Sequence, residues 1–394
     1  MTHDSNFMQP ATEAEACEII AQARADKRTL GIEGGGTRAG LGRPVACDGV
    51  LSTRKLSGVT IYEPAELVIA AKAGTPLSVI EETLAAKGQM LPFEPADYRA
   101  IYGTTGEPTI GAVAACNISG PRRIQSGAAR DALIGVRLVN GRGEAIKSGG
   151  RVMKNVTGLD LVKLSAGAHG TLGLLTEVTF KLLPKPPAEA SLVIDGLDDA
   201  QAINAMSMAL SSPFEVSGAA HLPTPGTTLL RLERDADSLD YRAKRLTELL
   251  ASVGAARRID ADESRAQWRD IAQAAPLAKA HAPAIWRLSL PPHNAARCMA
   301  EISASLGARY FYDWAGGLVW LAVMPGDDAG ALRIRAAVAE AGGYATLMRA
   351  PDEIRARADV FPPLGAALMK ITAGIKASFD PDAILNPGRM YAGV

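Results

Sequence analysis

The amino-acid sequence predicts an α+β protein with more than one domain. Two observations carry this prediction. Near the N-terminus, short apolar strands come with one helix per group rather than in a continuous strand–helix series. In the middle of the chain, a β-α-β-β-α-β order occurs twice. The chain has 394 residues, which is enough for two or three hydrophobic cores.

Composition and charge exclude several classes of protein. Lys+Arg and Asp+Glu number 42 each, so no net charge favours nucleic acid or an acidic membrane surface. The four cysteines form no CxxC pair, which argues against a zinc site, an iron–sulfur site or a disulfide framework. No apolar run approaches the roughly 18 residues of a membrane span, and no signal peptide is evident. We therefore expect a cytoplasmic protein, for which any membrane contact would have to come through a partner.

The stretch 31–42, GIEGGGTRAGLG, has the strongest functional signal of the N-terminal region. Gly34, Gly35 and Gly36 are consecutive, which indicates a backbone in a positive-φ conformation or pressed against another group. Backbone amides in such a turn can converge on an anion, and Thr37 adds a hydroxyl. Rossmann spacing and a Walker-A loop are both absent. The stretch predicts a pyrophosphate cradle, and a plain glycine-rich surface loop is the alternative.

The elements of the first part follow from capping signals and hydrophobic periodicity. Thr12 and Glu15 form a predicted capping box at the start of a helix. The predicted elements are helices 11–27 and 77–87, strands 29–32, 50–56, 59–62, 67–73, 133–139, 144–147 and 172–183, and a long functional loop 92–127.

The middle of the chain contains the two repeats, and the tail contains one more helix. The first repeat is predicted as strand 191–194, helix 199–210, strands 215–221 and 228–233, helix 238–253 and a weak strand. The second is strand 285–290, helix 295–306, strands 309–313 and 318–323, helix 329–341 and strand 344–348; the tail helix is 364–379. The proline-rich stretch 184–187 predicts a boundary. The expected domains are 1–187, 188–350 and a C-terminal segment 351–394 that returns to the first.

Four ordered motifs now show a resemblance to a known family. They are EGGGT at 33–37, PTIGAVAACNISGP at 108–121, KNVTGLDLVKL at 154–164 and GTLGLLTEVTFKLLPKP at 170–186. Together they resemble the vanillyl-alcohol-oxidase or PCMH-type FAD-binding family. With the tail FDPDAILNPGRMYAG at 379–393, the chain is similar to the FAD-binding subunits (E) of bacterial glycolate oxidases. This implies a PCMH-type domain of two α+β subdomains, plus a cap domain of ferredoxin-like repeats.

The resemblance also implies a set of FAD-binding residues. The pyrophosphate group comprises Gly34, Gly35, Gly36 and Thr37, and Thr109, Ile110 and Gly111 extend it along the ribityl chain. The isoalloxazine group comprises Asn117, Ser119 and Gly120, and the adenosine group comprises Gly170, Leu172, Glu177 and Val178. Asn386 is expected either to hydrogen-bond the flavin ring or to cap a turn. Simple turn chemistry is the alternative for Thr109 and Ser119.

Departures from the family pattern shape the remaining expectations. Covalent members attach flavin through a histidine beside the glycine loop, where Thr37 and Arg38 stand here, so we expect non-covalent FAD. Related cap domains carry metal-ligating histidines on a hairpin that corresponds to 310–320, and this hairpin has none. The histidines, His3, His169, His221, His281 and His293, show no paired metal-ligand spacing. No metal site is predicted, and the catalytic residues stay unassigned.

Two further groups of side chains remain open from sequence. Arg122 and Arg123 could hold a carboxylate or the negative charge of reduced flavin, or form a solvated pair or a subunit contact. Cys116 is expected to be a small buried hydrophobe rather than a reactive thiol. Trp286, Trp314 and Trp320 could cover the flavin, form an interface or belong to the core.

The function implied by the resemblance is that of an FAD-binding subunit of a glycolate oxidase complex. Such a complex oxidises glycolate or another short 2-hydroxy acid, giving glyoxylate from glycolate. The implied partners are a metal-bearing flavoprotein subunit and an iron–sulfur subunit, with this chain as an electron relay or a support. Two alternatives remain: a self-sufficient FAD-dependent 2-hydroxy-acid dehydrogenase, and a structural subunit with a vestigial FAD site.

Overall fold

The computed structural model describes residues 6–150, 159–278, 284–324 and 326–394. His3, His281 and residues 154–158 of the third motif lie outside these described residues. The described chain forms two compact units. The first unit comprises 6–119, 127–150, 159–185 and 363–394, and the second comprises 120–126, 186–278, 284–324 and 326–362.

The first unit contains three sheets. Its strands are β1 Phe7–Met8, β2 Leu30–Glu33, β3 Gly49–Ser52, β4 Val59–Glu63, β5 Val68–Lys72, β6 Gln89–Met90, β7 Leu133–Val139, β8 Ala145–Gly149, β9 Leu174–Lys181 and β10 Leu183–Pro184. One sheet is parallel with the order β1-β3-β2, one is antiparallel with the order β4-β5-β9-β7-β8, and β6 pairs with β10.

The helices up to residue 185 are mostly short. They are α1 Glu13–Ala25, α2 Leu77–Ala85, α3 Arg99–Tyr102, α4 Ile110–Cys116, α5 Arg123–Ser126, α6 Ala129–Ala132 and α7 Leu161–Ser165. Of these, α5 belongs to the second unit. The predicted N-cap of α1 is confirmed, because the Thr12 hydroxyl accepts a hydrogen bond from the Glu15 amide at 3.1 Å. The helix buries Ile20 against a core that contains Leu30 and Leu51.

The segment 92–127 is not the continuous loop that was predicted, because it contains α3, α4 and α5. Helix α4 was missed because it shows no alternation of polar and apolar faces. Ile110, Val113 and Ala114 are all buried in the core of the five-stranded sheet. The helix ends where Asn117 adopts the left-handed conformation with φ 50°.

The second unit is built around one eight-stranded sheet. Its strands are β11 Ala188–Asp195, β12 Gly218–Leu222, β13 Thr227–Arg234, β14 Ala256–Ile259, β15 Ala284–Ser289, β16 Arg309–Asp313, β17 Leu318–Val323 and β18 Tyr344–Arg349. Its longer helices are α8 Asp199–Leu210, α9 Ala236–Leu250, α10 Ala261–Ala272, α12 Pro292–Leu306 and α13 Ala331–Glu340, with the short α11 Ala275–Ala278 and α14 Asp352–Arg357.

The order of the strands confirms the two ferredoxin-like repeats. The sheet runs β14-β11-β13-β12-β16-β17-β15-β18, so each repeat contributes four adjacent strands with its first and third strands at the centre. The repeats join where His221 of β12 pairs with Tyr312 of β16. Helices α10 and α11, which connect the repeats, were not predicted.

The two units divide the chain differently from the predicted domains. The first division falls after residue 185 rather than 187, and the return to the first unit comes at 363 rather than 351. Helix α14 remains with the second unit, and α15 Ala366–Phe379 belongs to the first. Among the described residues, no helix is long and apolar enough to span a membrane.

Candidate cofactor-binding cleft

The first unit contains a cleft with a volume of about 280 Å³. Its walls come from four parts of the chain: the loop after β2, helix α4, the turn before β9 and the tail after α15. Seven of the predicted FAD-binding residues line it: Gly34, Gly35, Gly36, Thr37, Gly111, Gly170 and Asn386. Tertiary folding therefore brings together residues that are more than 350 positions apart in the sequence.

The three consecutive glycines are needed because neighbouring atoms approach Gly34 and Gly35 closely and Gly36 has a positive φ. A Cβ at Gly35 would lie 1.6 Å from the carbonyl oxygen of Glu107. A Cβ at Gly34 would lie 2.2 Å from Thr109 Oγ1, and Gly36 has φ +76°. No side chain larger than hydrogen fits at Gly35 without moving the 107 backbone.

The peptide groups of the loop are oriented by hydrogen bonds to their carbonyl oxygens. Ser52 Oγ donates to the carbonyl of Gly34 at 3.0 Å, and Arg54 Nη2 donates to the carbonyl of Gly35 at 3.0 Å. Because N–H and C=O point in opposite directions in a trans peptide, the next amides point away from Ser52 and Arg54. Within the described part of the chain, the amides of 35–38 have no hydrogen-bond acceptor. They are available to an anion, as in a phosphate-binding nest.

Helix α4 and the segment before it contribute both backbone and core. Gly111 lines the cleft, and a Cβ there would lie 2.5 Å from the Cβ of Ala73 on the neighbouring strand. Thr109 is the N-cap residue of α4, and its buried Oγ1 has no hydrogen-bond partner in the described structure. Ile110 packs in the hydrophobic core instead of the cleft. The same segment therefore supports the glycine loop and anchors the helix.

Asn386 ties the tail to the walls of the cleft. Its Oδ1 accepts from the Ile32 amide at 2.9 Å, and its Nδ2 donates to the carbonyl of His169 at 2.8 Å. The side chain thus links the end of β2 to the turn that contains Gly170, which has φ +72°. These bonds join segments far apart in the sequence, so they are distinct from the cap of a local turn.

A buried ion pair, Lys376–Asp380, stabilises the position of the tail. Lys376 Nζ donates to Asp380 Oδ2 and to the carbonyls of Thr171 and Leu385, each at 2.7 Å. Asp380 also accepts from the Leu385 amide at 2.8 Å. A lysine buried with three acceptors, one of them charged, holds the segment 380–386 against the cleft-lining turn.

The charged side chains that line the cleft are predominantly cationic. Arg38 is 7% exposed, and its Nη2 donates to the carbonyl of Ala96 at 2.9 Å. Its Nε and Nη1 are buried without a hydrogen-bond partner among the described residues. Arg389 lines the same cleft, with Nη2 3.2 Å from the carbonyl oxygen of Ala39. Glu33 is the acidic side chain of the lining, and its Oε1 lies 3.5 Å from Arg54 Nη2.

Burial shifts the pKa values of three groups that line the cleft. Burial raises the pKa of Glu33 and the pKa of the Cys116 thiol, although nearby arginines oppose both changes. Burial, with help from Arg389, lowers the pKa of His169 to about 3. His169 is therefore neutral at physiological pH, and Cys116 is a protonated thiol rather than a reactive thiolate.

Several predicted FAD-binding residues lie away from this lining. Asn117 Oδ1 accepts from the Arg130 amide at 2.9 Å, and Ser119 Oγ accepts from the Ala129 amide at 2.9 Å, so both bind amides in the first turn of α6. Val178 is buried in the core. Gly120 belongs to the second unit, where its carbonyl accepts from Trp314 Nε1.

Leu172 and Glu177 are partly buried, and Glu177 lies on β9 opposite Lys72 and Arg137. Sequence reasoning did not select Arg389, Glu33 or His169 for the site. The NPGR stretch of the tail was the available signal for Arg389.

The remaining sequence candidates lie in the second unit. Arg122 is not a solvated residue, since it is buried and both of its terminal nitrogens bind Glu233. Burial raises the pKa of Glu233, but Arg231 and Arg122 outweigh burial and hold it below its ordinary value. Trp286 and Trp320 belong to the core, as the core alternative predicted.

Comparison with known proteins identifies the family. The family described as FAD binding domain matches residues 5–149. Over 95% of this chain and 96% of the relative, the sequence is 36% identical to glycolate oxidase subunit GlcE of Escherichia coli (strain K12). The chain belongs to the GlcE family. It is also 28% identical to D-lactate dehydrogenase of Anaerostipes hadrus, over 48% of this chain and 39% of that protein.

The fold agrees with this family. The structure superimposes on p-cresol methylhydroxylase with a TM-score of 0.71 at 14% identity, covering 98% of this chain and 88% of the other. The predicted PCMH-type fold and the predicted cofactor, FAD, are both confirmed.

The chemical features of the cleft also match those of FAD. FAD carries a diphosphate, for which the unpartnered amides of 35–38 and the unpaired guanidinium of Arg38 provide donors and positive charge. Apolar side chains in the lining, such as Leu41, Val50 and Leu174, suit the ring systems.

Proposed function

We propose that this chain is the FAD-binding subunit of a glycolate oxidase-type complex, which oxidises glycolate or another short 2-hydroxy acid to the 2-oxo acid. Its partners are a metal-bearing flavoprotein subunit and an iron–sulfur subunit, and this chain relays electrons between sites. It works in the cytoplasm and reaches the inner membrane only through those partners. The single observation that carries the proposal is the cleft with unpartnered amides and an unpaired arginine, in a chain similar to GlcE along nearly its whole length.

The residues of the chain have distinct roles in this proposal. The loop 34–37 holds the diphosphate through its amides, and Gly111 and Gly170 allow the backbone to approach the cofactor closely. Asn386 and the Lys376–Asp380 pair keep the walls in place. When bound, FAD would supply a redox centre that takes up electrons and passes them on. Thr109, Leu172, Glu177 and Asn386 complete the proposed FAD-binding set, whereas Ile110 and Val178 pack in the core and Gly120 belongs to the second unit.

The cofactor is proposed to be held without a covalent bond. Thr37 and Arg38, the residues at the end of the glycine loop, offer no imidazole for attachment. Acid precipitation of the purified protein should release all of the yellow flavin into the supernatant. Flavin that stays with the precipitated chain would contradict non-covalent binding.

One experiment separates the proposed relay from its two alternatives. The chain is purified alone and together with the two partner subunits, its flavin spectrum is recorded, and glycolate is added without oxygen. The relay proposal expects bound FAD in both samples and bleaching only in the complex. Bleaching of the lone chain would indicate a self-sufficient dehydrogenase. A colourless chain that binds no added FAD would indicate a vestigial site, and absence of bleaching in the complex would overturn the function.

A further inference from the structure

The turn between β16 and β17, in the second unit, has an unusual backbone. Trp314 and Ala315 have φ +52° and +53°, two consecutive non-glycine residues in the left-handed region. Each such residue costs free energy that the surrounding contacts must offset, and such positions cluster at functional sites. The conformation places the indole of Trp314 at the tip of the hairpin.

Two hydrogen bonds fix the position of the Trp314 indole. The Trp314 amide donates to Asp313 Oδ1 at 2.7 Å, and Asp313 is 1% exposed. At the other end of the residue, Nε1 donates to the carbonyl of Gly120 at 3.1 Å. The ring is partly buried, so one part of it remains accessible.

Two guanidinium groups pack against this one ring. Arg123 Cζ lies 4.5 Å from the ring centroid, and Arg287 Cζ lies 5.0 Å from it. Each contact is an attractive cation–π interaction.

Arg287 differs from other arginines that pack on tryptophans in the second unit. Arg231, over Trp268, donates to Ser217 Oγ at 3.1 Å, and Arg335, over Trp286, donates to the carbonyl of Ala345 at 2.9 Å. Arg287 makes no hydrogen bond and no ion pair with any residue in the described ranges. Its five N–H donors are therefore available to a ligand.

Glu233, a buried carboxylate of the second unit, is already paired with other arginines. Glu233 binds Arg122 through both oxygens and lies 3.5 Å from Arg231. Its charge is thus committed to two other arginines. The cation on Arg287 remains uncompensated in the described structure, although it is only half-buried.

We propose that Arg287, together with Trp314 and Arg123, binds the carboxylate of a small organic acid. The planar fork of Arg287 matches a carboxylate, and the indole face provides an apolar surface for the adjoining carbon. The ligand class, a 2-hydroxy carboxylate, rests on the proposed function. The site itself lies wholly within the second unit.

Binding is tested on the FAD-loaded protein under air, with glycolate as the probe and tryptophan fluorescence as the readout. Glycolate should change the fluorescence saturably, and glycolamide, which has no carboxylate, should bind at least tenfold more weakly. Arg287→Gln should weaken glycolate binding at least tenfold, and Arg287→Lys should weaken it less. The matched control Arg297→Gln removes an exposed arginine of α12 in the same unit and should leave binding unchanged.

Trp314→Phe gives a second, independent check that does not depend on the folding of an arginine variant. It keeps an aromatic ring but loses the bond to Gly120, and should abolish most of the fluorescence response. Glycolate binding that is equal in wild type and in Arg287→Gln and Arg287→Lys, or a response retained in Trp314→Phe, would overturn the site. If Arg287-dependent binding occurs but the complex never bleaches its flavin, the proposed function fails and the carboxylate site stands. If the complex bleaches and none of these variants changes binding, only the site fails.

Discussion

Buried arginines have opposite surroundings in the two units. In the second unit, Arg122 and Arg231 flank Glu233, so both cations have a buried carboxylate beside them. In the first unit, Arg38 is buried beside the cleft with one carbonyl acceptor and no ion pair among the described residues. Charge burial is costly unless the charge is paired. Each buried arginine of this cluster therefore has a carboxylate neighbour, whereas Arg38 has none among the described residues.

The first unit also contains a buried cation that is paired with a carboxylate, so the two kinds of buried cation can be compared within one unit. Lys376 is buried with Asp380, and this pair is part of the support behind the cleft rather than of its lining. The unpaired cation thus belongs to the cleft and is not a general property of the unit.

The largest expected effect comes from breaking the cluster of Arg122, Glu233 and Arg231. Glu233→Ala removes the carboxylate that binds Arg122 and lies 3.5 Å from Arg231, which should lower the free energy of unfolding by about 3–5 kcal/mol. Denaturant unfolding of the protein measures this loss. The control Glu340→Ala removes an exposed partner of Arg297 and should change stability by less than about 1 kcal/mol. Equal effects of the two substitutions would show that the cluster carries no special energy.

Arg38→Gln should change a free energy by a smaller amount, and the affected quantity should be the affinity for FAD rather than the stability of the fold. Loss of the unpaired cation should raise the Kd for FAD about 10- to 100-fold, equivalent to roughly 1.4–2.8 kcal/mol. FAD titration followed by flavin fluorescence measures the change. Arg24→Gln, which removes an exposed arginine paired with Asp382, is the control and should bind FAD like wild type. An unchanged Kd in Arg38→Gln would place the bound anion away from this residue.

Features with a local sequence signal could be predicted. Features that depend on contacts between residues far apart in the chain could not. The glycine loop, the α1 cap and both ferredoxin-like repeats follow from short-range patterns, and the structure contains them. Helix α4 was missed because burial on several faces removes the periodicity by which helices are detected. The environment of Arg38 could not be predicted, because Ala96 and Arg389 reach it only through tertiary folding. The same holds for Arg122, whose partner Glu233 lies 111 positions away.

The smallest expected effect is a difference in pH dependence between the two units. The pKa of His169 is about 3 in the folded chain, below the 6.5 of an unperturbed histidine. The unfolded state therefore binds this proton first, and stability should fall as pH drops below about 6.5, by roughly 1–2 kcal/mol at pH 5. The pKa of Glu233 is lower in the folded chain than the 4.5 of an unperturbed glutamate, so its ionised form stabilises the fold above that pH. This contribution is lost only as the pH falls through about 4.5 and below.

His169→Asn removes the titrating group while it keeps a residue that tolerates the φ of +51° at this position. Unfolding curves between pH 7 and 5 should be flatter for the variant than for wild type. Identical slopes in this pH range would mean that His169 does not contribute to the stability of the cleft.

The most direct test of the unpaired cation compares the FAD-dependent gain in unfolding free energy in wild type and in Arg38→Gln. Each protein is unfolded without FAD and with saturating FAD at fixed concentration. We predict that the variant without FAD is at least as stable as wild type, because a buried uncompensated charge has been removed. We also predict that its FAD-dependent gain is smaller by roughly 1.4–2.8 kcal/mol. A variant that is less stable without FAD and shows the full gain would contradict the account, since Arg38 would then serve the fold and not the bound anion.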